Sequence, residues 1–241
     1  MSEGRYLVIV PTYNERDNLP RKVPLILEQD PILDVLVVDD ASPDGTGALA
    51  DAMAAEDGRV HVLHRQAKDG LGKAYLAGFR WGLDRGYEVL FEMDADISHP
   101  PDALPAFIEA LDDHDVVVGS RYVGGRVNVL NWPMSRLLIS YFGCWYARTI
   151  TRMPIRDATG GFNAWHRDVL QAVELDRVRS NGYAFQIELK FRAWSKGYRV
   201  AEIPILFTER DTGESKMSKS IVREAVWRVW WLKFQQIFRR L

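Results

Sequence analysis

Two kinds of hydrophobic pattern alternate along the first half of the chain. Tyr6 to Val10 and Leu33 to Val38 are short apolar runs rich in β-branched residues, closed by Pro11 and by Asp39 with Asp40. Runs of that length without polar alternation predict strands buried on both faces. Between them Asn18 is placed to cap a helix with Pro20 in its first turn and Val23, Leu25, Ile26 and Leu27 to bury. The pattern repeats: a helix from about Thr46 to Ala55, a strand from Val60 to His64, a helix from about Lys73 to Arg85, a strand from Val89 to Met93, a helix from about Asp102 to Leu111 and a strand from Val116 to Gly119. Such alternation predicts an α/β fold on a mostly parallel sheet flanked by helices. After Gly119 the rhythm breaks into a glycine-rich loop (Val123 to Arg126), an aromatic helix from about Met134 to Thr151, a turn at Asp157 to Gly161, a helix from Phe185 to Lys196 and a strand from Val200 to Ile203. This half is expected to complete the sheet's site, since no repeat or low-complexity linker marks it off.

Composition narrows the picture. At 241 residues, 47% hydrophobic and 27% charged, the chain can bury one substantial core. The net charge of -2 is uneven: Lys216 to Leu241 carries seven basic residues against Glu224 alone, so residues 1–215 hold -8. An acidic body disfavours a nucleic-acid partner, whereas a basic aromatic tail suits an anionic surface or substrate. Cys144 is the only cysteine, which excludes an intrachain disulfide and thiolate metal clusters. Without a signal-peptide pattern at Met1 to Arg5, or a run of about 18 apolar residues, the expected location is cytoplasmic.

Candidate chemistry gathers where the strands end, which in open α/β sheets is where ligands bind. Strand one ends in Pro11-Thr12-Tyr13-Asn14-Glu15, strand two in Asp39-Asp40-Ala41-Ser42-Pro43-Asp44, strand four in Asp94-Ala95-Asp96, and strand five in Ser120-Arg121-Tyr122. Each cluster alone also suits a turn or a helix cap. Asp94 and Asp96 lie two apart, so in an extended segment both carboxylates point into one volume, where repulsion calls for a cation. Hard oxygen donors favour Mg²⁺ or Mn²⁺ sharing its shell with substrate phosphates. Asp40, Glu15 and the Tyr13 ring could then grip a nucleoside. Gly70-Leu71-Gly72-Lys73 fails as a phosphate-binding loop because Ala67 and Ala74 stand where glycine and Ser/Thr are needed, and no GxGxxG follows strand one.

The blocks Val8 to Glu15, Val37 to Thr46, Met93 to Pro101, Gly119 to Tyr122, Asn131 to Pro133, Gly182 to Glu188 and Gly213 to Met217, in this order, make the whole chain resemble the dolichyl- or polyprenyl-phosphate mannosyltransferases of glycosyltransferase family 2, with the GT-A fold. The resemblance implies inverting transfer of mannose from GDP-mannose to a polyprenyl or dolichyl phosphate. It implies guanosine contacts at Pro11, Tyr13, Glu15, Val38 and Asp40, and a diphosphate and metal station at Asp94, Ala95 and Asp96. Some relatives carry Gln where this chain has Ser98, so Ser98 or water would complete the metal shell. It also implies that Gln186 or Glu188 faces the sugar, although a cap network or an exposed face also suits them; His99 is expected only to start the turn at Pro100. A phosphate acceptor, with its second pKa about 6, is already a dianion near neutral pH and needs no general base. The catalytic set is therefore expected to be Asp96 with the cations Arg121, Arg210 and Lys216, the last three holding phosphate oxygens.

From Ser220 the tail is largely apolar, with Trp227, Trp230 and Trp231, while Glu224, Arg228, Gln235 and Arg239 fall on one helical face. Residues 216–241 are thus expected to form an amphipathic helix on a membrane interface beside a catalytic domain at 1–215, making the protein peripheral on the cytosolic face. Packing of this helix on its own catalytic domain is the other reading, and the helix of residues 131–152 is its expected companion at the lipid. An anchoring membrane subunit is an open further partner, as relatives' membrane helices are missing here. Competing expectations are a UDP-sugar donor, since base selectivity is not legible in these blocks, and a catalytically silent nucleotide-binding subunit.

Overall fold

The computed structural model describes residues 4–124, 126–180, 182–208 and 219–238, with side chains in the final helix from Val226 onward. In chain order the elements are β1 (Tyr6–Thr12), α1 (Leu19–Leu27), β2 (Leu33–Asp39), α2 (Thr46–Glu56), β3 (Val60–His64), α3 (Leu71–Asp84), β4 (Val89–Glu92), α4 (Leu104–Ala110) and β5 (Val116–Ser120). They continue with β6 (Val129–Leu130), α5 (Met134–Thr151), β7 (Asn163–His166), α6 (Arg167–Ala172), α7 (Gly182–Ser195), β8 (Val200–Pro204), β9 (Phe207–Thr208) and α8 (Lys219–Ile237).

Seven strands form one sheet in the order β3-β2-β1-β4-β7-β5-β8. All pairs are parallel except those of β7, which runs antiparallel to both β4 and β5. β1 shows why the apolar runs carried no alternation. Leu7 and Ile9 pack on one face with Tyr75, Phe79 and Leu189, whereas Val8 and Val10 pack on the other with Val23, Ile26 and Phe107. Both faces are covered, so Leu7 to Val10 are apolar without alternation. Helix α3 approaches the sheet closely through glycine: a Cβ on Gly78 would stand 2.6 Å from Ile9 Cγ2, and one on Gly82 2.6 Å from Leu90 Cδ2.

The βα alternation is as expected, and the second half adds β7 and β8 to the same sheet. Two local expectations are corrected. Strand β7 was absent from the sequence pattern, because Asn163-Ala164-Trp165-His166 has neither length nor periodicity; central pairing on both sides holds it. Asn18 does not cap α1 with its side chain, since its amide donates to Glu15 Oε2 at 2.7 Å.

A third cluster joins α5, α7 and α8: Val229 and Leu232 pack with Ile187, Phe191, Cys144 and Ala147. The Tyr146 hydroxyl donates to the Val226 carbonyl at 3.3 Å. Helix α8 therefore packs on the domain and pairs with α5. Its outer side is nevertheless aromatic: Trp227, Trp230, Trp231, Phe234 and Phe238 are roughly half exposed or more. Arg228, Lys233, Gln235 and Gln236 are half-buried. Lys233 Nζ reaches the Thr151 carbonyl at 3.5 Å and Gln236 Nε2 the Ser195 hydroxyl at 3.2 Å. Val229 and Leu232 pack inward while large apolar side chains also face outward, unlike a helix finished by water. Among the described residues no helix is long and apolar enough to cross a membrane.

Candidate active site

The strand order changes direction between β1 and β4, so the loops leaving these two strands open a crevice at the carboxyl edge. On the β1 side, the chain turns through Asn14 in a left-handed conformation (φ 59°) and is tied to the loop after β2. The Asn14 amide donates to Ser42 Oγ at 3.1 Å and the Glu15 amide to Thr46 Oγ1 at 3.0 Å. Asp39 organises that second loop, accepting from Thr12 Oγ1 at 3.1 Å and from Ser42 Oγ at 2.6 Å. The turn and cap role open to these aspartates thus falls to Asp39 and to Asp44, whose Oδ1 accepts from the Thr46 amide at 3.0 Å and hydroxyl at 2.6 Å. Asp40, buried, takes an ion pair from Arg65 at 2.5 Å; burial raises its pKa against that pairing. The Tyr13 ring carries the Lys68 ammonium 3.7 Å above its centre. Pro11 and Val38 are register partners on β1 and β2, directly behind these side chains.

On the β4 side the strand ends at Glu92, and residues 94–99 form a compact loop. This corrects the expectation of an extended segment with two parallel carboxylates. Asp94 is one quarter exposed and accepts from the Tyr75 hydroxyl at 3.2 Å. Asp96 is buried, and its Oδ1 accepts from the Ser98 amide at 2.9 Å and from the Ser98 hydroxyl. Ser98 therefore orients the carboxylate of Asp96. Ala95, between them, is buried in the β-sheet core.

Two residues hold this loop: Lys22, which sequence reasoning passed over, and His99. Lys22, buried in α1, donates to the Asp96 carbonyl at 2.7 Å and to the His99 carbonyl. Burial pulls its pKa down to about 8. Its signal was present in the sequence, because Leu19, Lys22, Val23 and Ile26 share the buried face of one helix. His99 does more than start a turn: it is buried, and its Nδ1 accepts from the Asp94 amide at 2.9 Å. Burial depresses its pKa to about 4, so near neutrality it fixes the loop without adding charge.

Beneath the loop lies a buried polar layer. Glu92 Oε2 accepts from Gln186 Nε2 at 2.6 Å and from Asn163 Nδ2 at 2.9 Å. Lys190 donates to the carbonyls of Asp157 at 3.2 Å and Gly160 at 2.6 Å. Burial raises the Glu92 pKa and lowers that of Lys190. Glu188 is occupied by Arg192 at 2.9 Å and by Ser180. Gln186 and Glu188 are thus members of buried networks, which corrects the exposed-face reading, and neither is presented to the crevice as a free side chain.

Arg121 is buried and forked onto Asp157, with Nε to Oδ2 and Nη2 to Oδ1 both at 2.7 Å, while its own amide donates to Oδ2 at 3.0 Å. Burial disfavours the Asp157 carboxylate, but the guanidinium prevails and holds its pKa down to about 2; Arg121 is correspondingly raised. The rings of Trp132 and Phe207 lie 5.3 and 5.6 Å from the guanidinium. The expectation of an Arg121 fork turned to an acceptor phosphate is not what the structure has, because Asp157 takes that fork. Arg210 and Lys216 lie outside the described residues.

The donor set around Asp94 fits a hard divalent cation. Two carboxylates and a hydroxyl sit in one short loop, and substrate phosphates and water would complete the shell. Among the described residues no group of three or more His, Cys, Asp or Glu side chains could hold a metal ion on its own.

Residues 7–173 match the family model described as Glycosyl transferase family 2. The chain is 54% identical over 222 residues to an undecaprenyl-phosphate mannosyltransferase of Micrococcus luteus, covering 92% of this chain and 91% of that protein. It is 53% identical over 227 residues to a polyprenol monophosphomannose synthase of Mycolicibacterium smegmatis, covering 93% and 85%. Among solved structures, the mannosyltransferase PcManGT from Pyrobaculum calidifontis, in complex with GDP-Man and Mn²⁺, superposes with TM-score 0.58 at 19% identity, covering 98% of this chain and 74% of that one. Glucosyl-3-phosphoglycerate synthase from Mycobacterium tuberculosis superposes with TM-score 0.69 at 16% identity, covering 94% and 80%. At these identities the two structures establish the fold.

Proposed function

The chain belongs to glycosyl transferase family 2, and from that premise we infer that it transfers mannose from GDP-mannose to a polyprenyl monophosphate. What carries this reading is identity above one half, along nine-tenths of the chain, with two proteins named for polyprenyl-phosphate mannose synthesis. The crevice supports it chemically. A phosphate oxygen of the acceptor attacks the anomeric carbon; the bond to the diphosphate breaks with inversion, and the electron pair leaves on the nucleoside diphosphate. The acceptor is ionised beforehand, so the protein needs no proton-abstracting group, and the neutral His99 is consistent with that.

The task left to the chain is to hold two anions together in line. Asp94 and Asp96, with Ser98 orienting the latter, would hold Mg²⁺ or Mn²⁺ against the donor diphosphate. That cation would neutralise the leaving group when bound. Lys22 and His99 fix the backbone between the two carboxylates, which keeps their spacing set before the donor arrives. Pro11, Tyr13, Glu15, Val38 and Asp40 would receive the guanosine, with Arg65 and Lys68 backing Asp40 and Tyr13. Arg210 and Lys216 are proposed to meet phosphate oxygens. Arg121, its charge matched by Asp157, would fix the wall of the site, and would offer a fork to a phosphate only where that phosphate displaces Asp157.

Attachment to the cytosolic surface of a membrane is part of this reading. A lipid acceptor has to be met where it lies, and α5 and α8 turn aromatic side chains outward. The purified chain should be offered GDP-mannose, UDP-glucose and UDP-N-acetylglucosamine with polyprenyl phosphate, and lipid-linked sugar measured. Product from GDP-mannose alone is expected. Preference for either UDP donor would overturn the donor assignment.

A further inference from the structure

The turn at residues 157–161 lies between the two halves of the site. On one side Asp157 holds the Arg121 fork. On the other, the Phe162 ring stacks 5.3 Å from that of His99, which accepts from the Asp94 amide. The fit is close: a Cβ on Gly160 would stand 3.2 Å from Asp157 Cγ and from the Gly119 carbonyl oxygen, and one on Gly161 would stand 3.5 Å from His99 Cε1. A shift of this turn therefore moves the Arg121–Asp157 pair relative to the Asp94–Asp96 loop.

The turn is supported from one face of α7, where Gln186 and Lys190 stand one helical turn apart and are both buried. Gln186 donates to Glu92, two residues before Asp94, and accepts from Asn163 Nδ2 at 2.9 Å. Lys190 reaches the turn itself, donating to the carbonyls of Asp157 at 3.2 Å, Ala158 at 3.4 Å and Gly160 at 2.6 Å. Asn163 Nδ2 adds a bond to the Gly160 carbonyl at 3.2 Å. None of these three carbonyls accepts from a backbone amide among the described residues. The three N–H groups of one ammonium answer them. Burying a charge is costly even when it is hydrogen-bonded, and apolar replacement of buried ionic groups is often neutral or stabilising. Stability alone is thus a poor account of an ammonium at this position.

Resting on the transferase reading, we propose that Lys190 is a positioning residue for the transfer: from beneath the turn it sets the place of Asp157, and through it Arg121, relative to the Asp94–Asp96 loop. Being fully buried, it meets no substrate itself. Its contribution is alignment, where a misplacement of about 1 Å costs on the order of a hundredfold in rate.

The test compares the full chain carrying Lys190→Met, which fills similar space without donating, with Asp157→Asn and with the two combined, each normalised to folded protein by circular dichroism. In Lys190→Met, kcat for mannosyl-lipid formation at saturating GDP-mannose is expected to fall about tenfold or more. The double variant should be no slower than the slower single, because both changes act on one pair. A Lys190→Met kcat equal to the parent's overturns the proposal, as does a double variant whose loss is the product of the two single losses, the mark of an independent effect on packing. A second readout needs no turnover. With isotope-labelled arginine, the Nε–H magnetic resonance signal of Arg121, identified by its absence from Arg121→Lys, should shift and exchange faster with solvent in Lys190→Met; an unchanged signal overturns the proposal. Should the Met variant fail to fold, Lys190→Gln, with two N–H groups in place of three, takes its place under the same readouts. If the parent protein forms no mannosyl lipid, the transferase reading fails, yet the Arg121 signal still decides whether Lys190 sets the Arg121–Asp157 pair.

Discussion

Replacing Asp157 by Asn isolates the buried pair that fixes the wall of the site. Asp157 is fully buried and receives three hydrogen bonds from Arg121, two from the guanidinium at 2.7 Å and one from the amide at 3.0 Å. The amide side chain keeps the shape but removes the counter-charge, leaving a buried guanidinium uncompensated, which costs about 3–5 kcal/mol. For a chain of this size that corresponds to a melting temperature lower by roughly 6–20 °C at 2–4 °C per kcal/mol. Acid titration gives an independent arm. The folded pKa of Asp157, about 2, lies below its ordinary 3.8, so the folded state binds fewer protons in that interval. Its contribution is complete above pH ~4 and is lost as the pH falls toward 2, by about 2 kcal/mol at 1.36 kcal/mol per pH unit. Urea unfolding of both proteins, followed by tryptophan fluorescence from pH 7 down to the acid limit of folding, should show a gap of several kcal/mol at pH 7 that narrows below pH ~4. A variant within about 1 kcal/mol of the parent at pH 7, or a gap that widens in acid, would refute the pairing argument.

Two further outcomes follow from the same contacts. Lys22→Met removes the donor to the Asp96 and His99 carbonyls; GDP-mannose KM should rise about tenfold with roughly 2 kcal/mol lost in stability, and unchanged steady-state kinetics would show that the loop holds itself. Trp227→Ala with Trp230→Ala strips two outward rings from α8 while leaving Val229 and Leu232 packed. Co-sedimentation with anionic vesicles should weaken at unchanged thermal stability, and undiminished binding would assign attachment elsewhere.

Legibility in the sequence followed the physics of each part. Buried parallel strands announce themselves because both faces need apolar side chains, and β1 to β5 appear at their expected places to within two residues. Strand β7 carries four residues whose conformation is imposed by neighbours on either side, so no local pattern could reveal it. The crevice residues were visible as polar breaks at strand ends. Their partners were not, since Asp157 reaches Arg121 across 36 positions and Lys22 reaches Asp96 across 74. Helical spacing predicted a polar face on α8 that includes Arg228 and Gln235, but spacing alone could not tell that this face turns partly inward. Arg228 and Gln235 are half-buried, and it is Lys233 and Gln236, off that face, that make the contacts with Thr151 and Ser195.

In the proposed reaction the Asp94–Asp96 loop gathers the donor diphosphate so that mannose passes to a lipid phosphate. The most direct measurement is transfer of radiolabelled mannose from GDP-mannose into organic-extractable polyprenyl phosphate by the purified chain and by Asp96→Asn, in Mg²⁺ or Mn²⁺ and after chelation. Transfer by the parent is expected, at least about a hundredfold less by Asp96→Asn with folding intact, and little after chelation. Transfer by Asp96→Asn at a rate close to the parent's, or by the parent undiminished on chelation, would contradict it.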